Sequence, residues 1–211
     1  MGGRGSSSGG GGGGTTGGNV NVLSETSLIS AREGKRSEVD QSLSVLRDIK
    51  DRYGVEVEDA QVVRLDAKNA NVMAYYDAAG NLAVNETYFD SKKMNAAYDR
   101  CVDSGFHPPR GNKTGLEATV AHEMGHRLTD VAGVKAGNGA WNLDATSNSI
   151  VKEAMKATGS KSIKEFRAKI SGYAKQSNAE AIAEAFSDVY CNGKKAKKES
   201  QAVVNALNKY F

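Results

Sequence analysis

An α+β domain, with a small twisted sheet, a β-hairpin and a helical C-terminal part, is what this sequence predicts. Three observations carry that expectation. Short β-branched and aromatic runs cluster between residues 61 and 88, helical periodicity takes over from residue 91, and the segment around residue 122 is lined by small and apolar side chains.

Residues 1–18 are almost entirely Gly, Ser and Thr. Such a tract cannot bury enough apolar surface to offset its chain entropy, so it is expected to be a flexible tail or linker, with residues 19–211 forming one domain. Ser37 and Asp40 open a helix whose apolar stripe, Val39, Leu43, Leu46, Ile49 and Tyr53, stops at Gly54. Strands are expected at 61–65, 72–76 and 82–88, the last two joined into a hairpin by the turn from Asp77 to Asn81. A helix from Ser91 to Ser104 leads into the loop Phe106-His107-Pro108-Pro109. Thr114 and Glu117 then form a capping-box pair, Leu116, Val120, Met124 and Leu128 recur at four-residue steps, and Asp130 and Gly133 close the segment. Several helices fill the chain from Asp144 onward.

The helix opened by Thr114 contains His122-Glu123-Met124-Gly125-His126. At helical spacing the two imidazoles share one face and reach one ion, while Glu123 stays beside a bound water. The pattern points to a zinc peptidase. The competing reading, two core histidines satisfied by hydrogen bonds, is disfavoured because two of only three histidines stand at ligand spacing around a Glu. A third ligand is then required. Arg127-Leu128-Thr129-Asp130 follows the pentad, with no Gly at the metzincin position and no later His, so that class is disfavoured.

Two candidates remain for the third position. His107 ranks second, on a loop just before the helix. Glu180 ranks first, in Asn178-Ala179-Glu180-Ala181-Ile182-Ala183-Glu184-Ala185-Phe186, where two carboxylates share one face of an otherwise apolar helix. Enclosed carboxylates need a cation or donors. A capping box with Ser177 and a solvated acidic stripe through Asp188 compete with this, but the flanking Ala, Ile and Phe residues leave too little polar surface for a stripe. Glu184, one turn beyond Glu180, is expected to accept a hydrogen bond from the outer nitrogen of a ligating His.

The stretch from Tyr173 to Phe186, placed after His122-Glu123-x-x-His126, resembles the gluzincin catalytic domain of anthrax lethal factor and the related Pro-Pro endopeptidases. The resemblance implies a zincin-like fold with the pentad helix under the sheet, and one catalytic Zn2+ held by His122, His126 and Glu180. It also implies Glu123 as general base and Tyr173, seven residues before Glu180, as stabiliser of the tetrahedral intermediate. The expected partner is a protein or peptide bound in extended form, beside a sheet edge such as the strand around Leu82 to Tyr88. A catalytically silent zinc-stabilised protein and a hydrolase of non-peptide substrates are the alternatives, the first opposed by an intact Glu123.

The formal charge of +3 is small, and the run from Lys194 to Lys198 reads as a solvated helix start, so nucleic-acid binding is not expected. Cys101 and Cys191 lack metal or redox spacing and are expected as reduced packing thiols. No signal-like or membrane-spanning run occurs, which makes a cytoplasmic monomer the default expectation, with secreted or phage-associated settings also suiting the family.

Overall fold

The computed structural model describes residues 21–138 and 143–211, so the expected tail, residues 1–18, lies outside the described residues. Among these, strands β1 (Val22–Ser27), β2 (Ala60–Leu65), β3 (Ala74–Tyr76) and β4 (Leu82–Asn85) form one sheet in the order β1-β2-β4-β3. β1 runs antiparallel to β2, β2 parallel to β4, and β3 antiparallel to β4 as the expected hairpin. The architecture is α+β, with helices α1 (Arg32–Tyr53), α2 (Ser91–Asp103), α3 (Gly115–Lys135), α4 (Leu143–Thr158), α5 (Ile163–Ile170), α6 (Asn178–Asn192) and α7 (Lys198–Leu207).

Side-chain alternation divides the sheet into two faces. Val62, Ala74, Leu82 and Val84 join the main core with the helices, whereas Val63, Leu65, Tyr75 and Ala83 form a small cluster on the other face. β4 is flanked by β2 and β3, which corrects the expectation that its edge receives a substrate strand: its backbone groups are already paired on both sides. β1 and β3 are the edges. The strand at β1 was not expected, since its residues are nearly all exposed and it is held by pairing with β2 rather than by an apolar pattern.

Helix α1 ends at Gly54 as expected, but of the expected stripe only Val39 and Ile49 are buried: Ser42 and Val45 complete the buried face, and Leu43, Leu46 and Tyr53 are partly buried beside it. Its start is earlier than expected, at Arg32, with residues through Lys35 departing from helical geometry. Asp40 pairs with Arg32 at 2.9 Å instead of opening the helix. Helix α3 opens with the expected capping box, Thr114 Oγ1 accepting from the Glu117 N–H and the Glu117 carboxylate accepting from the Thr114 N–H. It runs past Gly133 to Lys135 and is buried on nearly every side through its central turns.

Two connections hold α3 in place. Arg127 spans the gap to the sheet, donating to the Glu56 carbonyl at 2.7 Å, to the Tyr76 hydroxyl at 3.3 Å and to Glu58 at 3.1 Å. On the other side α3 packs on α6. A Cβ built on Gly125 would lie 2.7 Å from Ala183 Cα and 3.2 Å from Phe186 Cβ, so only glycine lets the two backbones approach this closely. Ser187 Oγ donates to the Ala118 carbonyl at 2.9 Å along the same contact. No helix among the described residues is long and apolar enough to cross a membrane.

Candidate metal centre

The close crossing at Gly125 brings the pentad of α3 against the first two turns of α6. Ligand-type atoms of His122, Glu123 and His126 lie within 4.8 Å of one another, and this buried group could hold a metal ion. Glu180 faces the same point. Ser177 Oγ caps α6 by accepting from the Glu180 N–H at 3.0 Å, while the Glu180 carboxylate turns inward. Its Oε2 lies 3.2 Å from His122 Nε2 and 3.5 Å from His126 Nε2. Two ligands about 2.1 Å from a tetrahedral ion are about 3.4 Å apart, so this spacing fits donors on one shared cation. Glu180 Oε2 is therefore within ligand-to-ligand distance of both imidazoles.

Burial makes the arrangement demanding. Glu123 and His126 are fully buried, and Glu180 is 8% exposed. Both ring nitrogens of His126, His122 Nε2, both Glu123 oxygens and Glu180 Oε2 lack hydrogen-bond partners. Polar atoms withdrawn from water in this way need compensation, and a divalent cation facing the Nε2 pair and Glu180 would supply it. The donor set, two imidazoles and one carboxylate, suits zinc.

The titration tendencies follow from the same crowding. Burial alone would raise Glu180, but the charge of His126 and the contacts of His122 and His126 hold it well below the usual carboxylate range. Glu123 is pushed upward by burial, with His122 and His126 opposing and Glu180 adding to the rise. A carboxylate displaced in that direction is a better proton acceptor near neutrality.

Glu184 sits one turn along α6, 1% exposed. Its Oε1 lies 2.8 Å from His122 Nδ1, a short contact but too poorly aligned to count as a hydrogen bond. The well-aligned partner is His107, whose Nδ1 lies 2.9 Å from the same oxygen. Burial would raise Glu184, yet the charge and hydrogen bond of His107, together with His122, bring it down to about 2. An ionised carboxylate only accepts, so His107 Nδ1 carries the proton. His107 thus stands behind Glu184 and His122 with Nδ1 spent on a carboxylate, whereas Glu180 faces both Nε2 atoms.

Tyr173 occupies a short 3-10 turn, Tyr173–Lys175, between α5 and α6. Its ring lies over His122, with centroids 5.6 Å apart and planes 18° from parallel, and stacks on Phe106 at 4.9 Å. Burial first, and then the Glu180, Glu123 and Glu184 carboxylates, push the phenol above its ordinary range, so its proton stays in place to be donated. The backbone secures this position. Gly172 N–H donates to the Gly105 carbonyl at 2.8 Å and Tyr173 N–H to the Phe106 carbonyl at 2.9 Å. A Cβ on Gly172 would come within 3.0 Å of the Gly105 oxygen and 3.1 Å of Phe106 Cα.

His122, Glu123, His126, Glu180, Glu184 and Tyr173 are therefore all brought together. The clamp between residues 105–107 and 172–173 was invisible in the sequence, because a pairing of two loops leaves no periodic pattern. Cys101 and Cys191 are both free thiols, partly buried. No family model, no curated protein and no solved structure matches this chain, so what the centre does is argued from its own geometry.

Proposed function

We propose that this chain is a zinc-dependent endopeptidase of the gluzincin kind, with His122, His126 and Glu180 holding the metal. The observation that carries the reading is the position of Glu180 Oε2, 3.2 and 3.5 Å from two unpaired Nε2 atoms, with the Glu123 carboxylate unpaired beside them. The resemblance of the Tyr173 to Phe186 stretch to lethal factor and the Pro-Pro endopeptidases supports it. A zinc ion held there would supply a Lewis acid for the substrate carbonyl and a bound water of lowered pKa.

The remaining work belongs to the chain's own residues. Glu123 takes the proton of the attacking water and returns it to the leaving amine, a role that its upward displacement suits. Tyr173 keeps its proton and donates a hydrogen bond to the carbonyl oxygen as negative charge develops there. The partner is a protein or peptide taken up in extended form.

The test combines metal analysis with unbiased cleavage mapping on a peptide library. Wild-type protein should carry about one zinc after desalting and cut peptides, His126→Ala should lose the metal, and Glu123→Ala should keep it but cleave nothing. Full stoichiometric zinc in His126→Ala would refute the ligand assignment. Full cleavage by Glu123→Ala would refute the mechanism, and a zinc-loaded wild type that cuts no peptide would refute the peptidase reading.

A further inference from the structure

His107 has no part in the mechanism above, yet it is one of only three histidines and 93% buried, since its exposure is 7%. Its ring lies flat on Tyr98, with centroids 5.2 Å apart and planes 9° from parallel, and the Tyr98 hydroxyl donates to the Pro108 carbonyl at 3.3 Å. The ring cannot swing freely. Its Nδ1 is the one well-aligned partner of Glu184, while the contact of His122 with the same oxygen is short but out of line. Left with that contact alone, the Glu184 carboxylate would be free to turn about its terminal torsion, which is broad and weakly preferred. The imidazole of His122 would then lose the carboxylate oxygen that lies 2.8 Å from its Nδ1.

We infer that His107 is a positioning residue of the proposed metal centre: its Nδ1–H fixes the Glu184 carboxylate, whose charged Oε1, 2.8 Å from His122 Nδ1, holds the His122 ring in place. This rests on the proposed zinc site. It adds that the loop before α3 tunes metal affinity from behind the ligands without touching the ion. Partners of this kind typically change affinity on the order of 10- to 100-fold when removed.

Three proteins decide it: wild type, His107→Phe and His107→Asn. Phe keeps a flat ring against Tyr98 and loses the donor; Asn places an N–H near the former Nδ1 and loses the stacking ring. Zinc affinity is read by competition with a chelator, and site geometry by the visible spectrum of the cobalt-substituted protein. His107→Phe should bind zinc about 10- to 100-fold more weakly, with a changed cobalt spectrum, and His107→Asn should recover most of the loss. Wild-type affinity and spectrum in His107→Phe would overturn the inference, as would Asn performing no better than Phe. In zinc-loaded wild type, proton–nitrogen correlation of the imidazoles should show His107 protonated at Nδ1; a bare Nδ1 would overturn the inference even if neither variant folds. A wild type that binds zinc while His107→Phe matches it removes only this role, whereas a wild type that binds no zinc removes the zinc site as well.

Discussion

Tyr173 shows how a single side chain is made ready by what lies behind it. Phe106 stacks on one part of its ring, His122 faces another, and two backbone hydrogen bonds from residues 172 and 173 anchor its loop. Under the proposed function the ring is thereby held in place before substrate arrives, which is the condition under which one hydrogen bond is worth most to a developing oxyanion. Tyr173→Phe preserves the stacking and deletes only the donor. It should lower turnover by about 100- to 1,000-fold while leaving zinc affinity and KM within a few-fold of wild type. Steady-state kinetics on a peptide found by cleavage mapping would check this, and unchanged turnover would remove the tyrosine's role without touching the metal site.

Between elements, the decisive contact is the crossing of α3 and α6 at Gly125 and Ala183. Replacing Gly125 by Ala improves intrinsic helix propensity by about 1 kcal/mol. The added methyl, however, would sit 2.7 Å from Ala183 Cα, where backbone and not a flexible side chain must yield. The clash should win, for a net loss of about 1–3 kcal/mol, and the separation of α6 from α3 should weaken zinc binding as well. Thermal melts and chelator competition would show both; a stabilised variant with normal zinc affinity would mean that the two helices adjust freely.

Much of this layer was legible in the sequence. The capping box at Thr114, the end of α1 at Gly54, the hairpin, α2, and the inward carboxylates at Glu180 and Glu184 follow from local spacing and chemistry. β1 did not, because an exposed strand held by backbone pairing needs no apolar alternation. Nor did the interior place of β4, since its parallel pairing with β2 is set by the tertiary arrangement. The partnership of His107 with Glu184 was hidden for the same reason: it joins positions 77 residues apart through a loop.

Across the molecule, one core cluster takes in residues from Leu28 to Leu207, and the candidate metal centre is embedded in it. Three carboxylates, Glu123, Glu180 and Glu184, share that interior with three imidazoles, so a cation held there would belong to the stability of the fold as well as to the proposed chemistry. Zinc at about 100 times its dissociation constant should stabilise the protein by about 2.7 kcal/mol, a rise of roughly 5–10 °C in Tm for a domain of this size. Scanning melts with zinc and with excess chelator would reveal it, and coincident curves would argue against a buried ion. The Gly125 crossing also imposes an order in time. During synthesis the imidazole pair of α3 precedes α6, so a half-made chain carries the two imidazoles without Glu180. Under the proposed function, hydrolysis must wait until α6 has docked and Glu180 has joined the two imidazoles.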